Sequence, residues 1–405
     1  MKTLPKTLAV IASIAFLMIW CSSAFATNYY VVGNNNTFPT NTVSVYRVSG
    51  TSLVPLTTVP TGGEGTNGGY FSQVQQSIAQ DGSNTCVFAG DSNSADISAM
   101  KVIAASPYLQ VVTTYISPDG DASTSDGLGI TVAGGYIYAN YTGNTAVGGS
   151  TPPSIGIWKI GSGCTLSFVT HLANTAGING GLIDGMAVTP NGKYLIVGYG
   201  DGSVGSYAIG GGSISLIGQE IITGNTVGAG AYAGGVAISS NGLWAIFSDY
   251  SGSNTTQFDV AKIGSNGSLA TTVTYGGTGQ LGNGIDTNGA ALSPNNKFIY
   301  AANSLSGQET TVAFDATTGV ITYPNPCLTT LNGFDINWAN ASQVATVVNT
   351  GSGAGLYISE EFLTADSYIA LLGVNSTTGC ATEAPHSPFV DTNGGSLESI
   401  TAYQH

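Results

Sequence analysis

The chain has 405 residues, 58 of them glycine, and only 7% carry charge. Eight Lys and Arg stand against 22 Asp and Glu, a formal charge of −14 at pH 7. Taken as a whole, such a surface excludes nucleic acid as a partner and is repelled by anionic membranes, because little on it neutralises phosphate.

The first 26 residues read as a secretory signal. Lys2 and Lys6 give the positive start, 8–20 is apolar, and Ala24-Phe25-Ala26 is a small-residue cleavage site. An apolar run of about 13 residues is too short for a membrane span, and bulky Trp20 before Cys21 fits a lipid-attachment signal poorly. A secreted or periplasmic, soluble monomer is expected, without a membrane span. Losing Lys2 and Lys6 takes the charge from −14 to −16 and leaves Arg47, Lys101, Lys159, Lys193, Lys262 and Lys297 as the cations. Cys86, Cys164, Cys327 and Cys380 remain, an even number that favours two disulfides in an exported chain, with three pairings open. No CxxC or Cys/His cluster suggests zinc.

Past the signal, strands are expected at 29–32, 42–48 and 53–59. A quartet follows at 74–79, 86–89, 97–100 and 108–115, and another at 127–132, 136–140, 154–160 and 166–172. Then one phrase recurs: DGMAVTPNGKYLIV at 184–197, GGVAISSNGLWAIF at 234–247 and GAALSPNNKFIYA at 289–301. Each is an apolar strand, a Ser/Thr-Pro-Asn-Gly type turn and a second apolar strand. Pro fixes φ, and Asn or Gly accepts positive φ, so each phrase is a hairpin. The turns recur at Pro190, Ser240 and Pro294, intervals of 50 and 54 residues. Two further strands follow each hairpin: 204–209 and 213–222, 257–263 and 268–275, 310–315 and 320–323. A less regular quartet closes the series at 334–348, 355–359, 368–374 and 381–383, and one strand, 397–403, is left over.

Four-stranded units at this period are propeller blades. The leftover strand completes the N-terminal three, so the fold class is all-β: a seven-bladed β-propeller of four-stranded antiparallel blades, its ring closed by the C-terminal strand. Residues 27–405 form one domain in this reading. The cysteines then fall in adjacent blades, and pairing between neighbouring blades is expected: Cys86 with Cys164, and Cys327 with Cys380. The stretches VSVYRV, KYLIVGYGDGSVGSYAI and SPNNKFIYAANSLSGQETTVAFDATTGVI resemble the YVTN-type, lactonase-like (6-phosphogluconolactonase-like) propeller family over nearly the whole mature chain. That resemblance implies the seven-bladed fold; its members include lactonase-type enzymes and exported proteins of other roles.

Catalytic motifs are sparse. GxSxG is absent, and the GxGxxG matches at 63–68, 200–205 and 277–282 do not join a strand to a helix. His171, His386 and His405 have no base–orienter neighbour in sequence, and a solvated or structural role is expected of each. The main candidates are acids at the entry to innermost strands: Asp126, Asp184, Asp335 and Glu398, with Asn288 at the matching place in another blade and Asp286 before it. In a propeller these positions surround one channel mouth, where they are able to hold calcium or polarise a sugar-like ligand. The alternative is that each acid caps its own turn. The run 119–126, DGDASTSD, alternates oxygens as a calcium loop does but lacks the EF-hand Gly and Glu. Tyr70, Phe71, Tyr232 and Trp338 fit either a carbohydrate-binding face or blade packing.

Two functions follow. One is an exported scaffold binding a protein, a carbohydrate or a small ligand on one face. The other is a lactonase-type hydrolase for an uncharged lactone, with Asp184 or Glu398 as weak candidates for the base and calcium as an assisting cofactor.

Overall fold

The computed structural model describes residues 28–66, 77–117, 128–141, 152–222, 232–250, 257–276, 287–303, 306–332, 340–349, 354–362, 367–391, 397 and 399–405. Seven antiparallel sheets form the blades, each running from an innermost strand at the channel to an outermost one. In that order, blade 1 is Ser399–Gln404, Tyr29–Asn34, Thr42–Ser49 and Ser52–Pro60. Blade 2 is Ile78–Gln80, Cys86–Asp91, Asp96–Val102 and Leu109–Ile116; blade 3 is Gly129–Ala133, Tyr136–Tyr141, Ser154–Ile160 and Leu166–Ala173. Blade 4 is Ile183–Val188, Tyr194–Tyr199, Ser203–Gly210 and Ser213–Ile221; blade 5 is Tyr232–Ile238, Trp244–Tyr250, Gln257–Lys262 and Val273–Gly276. Blade 6 is Thr287–Leu292, Phe298–Asn303, Gln308–Asp315 and Val320–Thr330. Blade 7 is Asn340–Asn349, Ala354–Phe362, Ser367–Val374 and Ala381–Glu383.

The innermost strands neighbour one another all the way round, blade 7 meeting blade 1 again. Closure is by the C-terminal strand: Tyr30 pairs with Tyr403 and Asn34 with Ser399. The core is a set of blade-to-blade clusters, such as Tyr138, Ile155 and Ile157 of blade 3 against Met186, Leu195 and Tyr199 of blade 4. Strands buried on both sides carry near-continuous apolar runs such as YLIVGY, where outermost strands alternate. Among the described residues no helix is long and apolar enough to cross a membrane.

The strand scheme holds with four adjustments. The described part of the first strand of blade 2 is short, Ile78–Gln80. In blade 5 the outermost strand begins at Val273, because Leu269 turns inward on an isolated bridge to Ile263. The outermost strand of blade 6 runs on to Thr330. Blade 7 has a split outer edge, Ala381–Glu383 and then Phe389–Asp391, both on Ser367–Val374; Pro385 and Pro388, which cannot donate to the ladder, stand between them.

Two faces result. The loop face bears the connections between second and third strands and from one blade to the next. The turn face bears the short hairpins between first and second and between third and fourth strands. The three repeated hairpins are built alike on that face. The side-chain oxygens of Asn191, Asn241 and Asn295 accept from the N–H of Lys193, Leu243 and Lys297. The hydroxyls of Thr189, Ser239 and Ser293 accept from the N–H of Tyr194, Trp244 and Phe298. Gly192, Gly242 and Asn296 take positive φ (68°, 70° and 55°), the conformation that makes Gly or Asn necessary there.

The disulfides join adjacent blades as expected: Cys86–Cys164 links blades 2 and 3, with Cα atoms 5.6 Å apart, and Cys327–Cys380 links blades 6 and 7, at 5.4 Å.

Candidate functional site at the loop face

At the loop face the first strands of four successive blades share an irregularity. Their register slips between Ile183 and Gly185, between Ala233 and Val236, between Thr287 and Gly289, and between Ser342 and Val344. The residues left out of the ladder are Asp184, Gly234-Gly235, Asn288 and Gln343. A bulge takes its residue out of the alternating pattern and re-aims it, a feature frequent beside functional sites. Asp184 and Asn288 therefore hold equivalent register positions, and Gln343 is the matching residue of blade 7.

Asp184 is buried, 2% exposed. The chain before it is held by blade 3, since the Asn140 side-chain amide donates to the Ile183 carbonyl at 2.9 Å. Asn34 does the same for blade 2, donating to the carbonyls of Ser77 (3.3 Å) and Gly90 (2.8 Å). Ser399 ties the closing strand into this layer: its hydroxyl accepts from the N–H of Ser77 and Ile78. Asp126, Asp286, Asp335 and Glu398 lie outside the described residues, as do the 119–126 run, Tyr70, Phe71 and Trp338. Tyr232 opens the first strand of blade 5. His171 lies in the outermost strand of blade 3, its ring 6.3 Å from that of Phe168.

Sequence reasoning passed over the buried acids near this face: Asp91, Asp96, Asp249, Asp259, Glu309 and Asp391 among the described residues. Asp91 ends the second strand of blade 2 and accepts from Asn41 (2.8 Å), Thr61 (2.6 Å) and Ser98 (2.6 Å). Burial pushes its carboxyl up to about 6, against the pull of those donors. Asp249 and Asp259 lie on adjacent strands of blade 5; burial, and then the charge of Asp249, raise Asp259. Glu309 is fully buried and burial lifts it to about 8, with the Thr311 hydroxyl on Oε1 opposing. The signal in the sequence was an acid next to an apolar run, as in CVFAGD and QFDVAK, where a solvated residue is not expected. Asp201 is a turn cap instead. Burial pushes it up, yet the Ser203 hydroxyl and the N–H groups of Ser203, Asn179 and Gly181 outweigh that and hold it low.

Among the described residues no group of three or more His, Cys, Asp or Glu is placed to hold a metal ion. At the backbone level, the bulged first-strand positions of blades 4, 6 and 7 fall on the polar residue types Asp, Asn and Gln.

No family model and no curated protein matches the sequence. Solved structures do match in shape. A candidate 6-phosphogluconolactonase from Bacteroides uniformis aligns with a TM-score of 0.68 at 14% identity, over 93% of this chain and 99% of its own. One from Bacteroides fragilis gives 0.66 at 16%, over 94% and 99%. A periplasmic gluconolactonase from Pseudomonas aeruginosa gives 0.64 at 13%, over 93% and 99%. With the blade count, the antiparallel quartets and the closing strand, these likenesses identify the fold as that of the lactonase-like seven-bladed propellers.

Proposed function

We propose that this is an exported binding protein that holds a small, uncharged, hydroxyl-rich ligand at the loop-face mouth of its channel. The observation that supports the reading is the shared register shift, which leaves Asp184, Asn288 and Gln343 at equivalent backbone positions of their first strands. Carboxylate and amide oxygens accept hydrogen bonds from ligand hydroxyls, and the amides also donate to ring or carbonyl oxygens. Anionic ligands are disfavoured there, because Asp184 is itself an acid and the six described cations stand on the opposite face. The acids at 126, 286, 335 and 398 extend the same set in this reading, and calcium is a candidate ligand through them.

The second reading, a lactonase-type hydrolase, is favoured by the fold shared with a periplasmic gluconolactonase. Asp184 would then draw the proton from an attacking water as the lactone carbonyl is opened. One experiment separates the two: titration calorimetry with neutral sugars and lactones, with and without calcium, beside a lactone hydrolysis assay of the parent and Asp184→Asn. Heat without turnover supports binding, and turnover lost in Asp184→Asn supports the hydrolase. Neither heat nor turnover across these classes removes the site.

A further inference from the structure

The low overall cation content hides a segregation. All six cations of residues 28–405 are described, and all six are exposed on the turn face. Arg47, Lys101, Lys159 and Lys262 stand at or near the last position of the third strand of blades 1, 2, 3 and 5. Lys193 and Lys297 sit in the first hairpins of blades 4 and 6. Six consecutive blades thus present one cation each, and among the described residues none of the six forms an ion pair. The acids Asp91, Asp96, Asp184, Asp201, Asp249 and Glu309 stand at or beside strand ends on the opposite face. Of the acids on the turn face, Asp81 and Asp315 are engaged by hydroxyls and N–H groups of their own turns.

Blades 3 to 6 add a second repeating element. Each carries a half-buried aromatic at the start of its second strand, beside its cation. Tyr136 is the cross-strand partner of Lys159, and Tyr194 follows Lys193. Trp244 is the partner of Lys262, whose ammonium lies 5.9 Å from the ring centroid, and Phe298 follows Lys297. The arc therefore repeats one aromatic and one cation per blade, four times in succession.

We infer that this arc of the turn face, in blades 3 to 6, binds an acidic polysaccharide. A polymer of carboxylated sugars offers the same repeat: an apolar ring for the part of each half-buried aromatic left uncovered by the next blade, and a carboxylate for each cation. Single exposed pairs are weak, but a repeating ligand engages several at once, and avidity accumulates. Nucleic acid requires a denser run of cations than one per blade. A membrane surface requires apolar area to insert, and Leu243 and Val320 are the large exposed apolar side chains in these turns.

The test is affinity electrophoresis of the signal-free chain through gels containing polygalacturonate or neutral dextran, with sedimentation on phosphatidylglycerol vesicles in parallel. The expected result is retardation by polygalacturonate alone, abolished by high salt. The exposed-site variant Lys159→Gln/Lys193→Gln/Lys262→Gln/Lys297→Gln should keep its melting temperature and bind at least about tenfold more weakly. The pair Lys193→Gln/Lys297→Gln should fall between. Asp184→Asn should be retarded like the parent, which separates this surface from the loop-face site. No retardation at low salt, retardation unchanged in the fourfold variant, dependence on Asp184, or binding to vesicles instead of the polyuronate would each overturn the inference.

Discussion

Cys86 and Cys164 occupy, between blades 2 and 3, the same two places that Tyr194 and Gly267 occupy between blades 4 and 5. Cys86 opens the second strand of its blade as Tyr194 does, and Cys164 lies in the outer turn of the next blade as Gly267 does. Elsewhere the pairs are Tyr136 with Gly212, Trp244 with Gly319 and Phe298 with Gly379: an aromatic seated on a positive-φ glycine of the following blade. Polar anchors accompany two of them. The Tyr194 hydroxyl donates to the Ser265 carbonyl at 2.8 Å, and the Trp244 ring N–H to that of Ala316 at 3.0 Å. One joint is covalent where the others are packed, at the same point of the repeat.

Interchange follows from that equivalence. Cys86→Ser/Cys164→Ser should lose about 2–4 kcal/mol, since the bridge closes a loop of 78 residues. Cys86→Tyr/Cys164→Gly should melt above the double-serine protein, because it installs the joint used by the neighbouring blades. Equal melting temperatures by calorimetry would show that the two kinds of joint are not equivalent.

Gly319 should not tolerate a side chain. An added Cβ would stand 2.4 Å from the Trp244 ring, and its φ of +76° disfavours any L side chain. Gly319→Ala is expected to cost roughly 1–3 kcal/mol, read as a lowered denaturant midpoint. Gly50→Ala tests the conformational share alone, with φ +61° and nothing within 4 Å of the added carbon, and should cost less.

Removing 399–405 should damage the whole ring. The loss strips the innermost strand from blade 1, leaves the Tyr29–Asn34 edge unpaired, and takes away the Ser399 hydroxyl that two N–H groups use. The expected outcome is a lower melting temperature with a tendency to aggregate. A truncated chain that melts like the parent would refute closure as a stabilising contact.

Stability should fall as pH rises from about 4.5 toward 8. In that window the unfolded chain has Glu309 ionised, whereas burial keeps it protonated in the folded protein, from an ordinary 4.5 up to about 8. The folded state therefore binds more protons, and raising the pH works against it. Asp91, raised to about 6, adds in the lower part of the window. Asp81, Asp201 and Asp315 are held low and act in the opposite sense, losing their contribution only below their ordinary 3.8. Glu309→Gln should flatten the profile, by on the order of a few kcal/mol at the alkaline end. A profile of melting temperature against pH identical to the parent's would refute the assignment.

Local chemistry makes the blades legible in the chain alone. Pro190, Asn191 and Gly192 dictate a turn through their own φ preferences, and the apolar runs on both sides dictate strands, so a repeat near 50 residues is enough to count seven blades. The unmatched strands at the two ends imply closure by the same counting. The pairing of Cys86 with Cys164 follows from their adjacent blades. Asp184 and Asn288 are recognisable as equivalent because they precede the same hairpin phrase. That each is a bulge, and that Gln343 matches them, depends on a register that only cross-strand pairing sets. Burial decides the protonation of Asp91 and Glu309, which in sequence are ordinary acids beside apolar residues. The six cations, sparse in sequence, share one face because blades repeat about a ring: residues some 50 positions apart come to equivalent places on the same side, a relation that exists only in three dimensions.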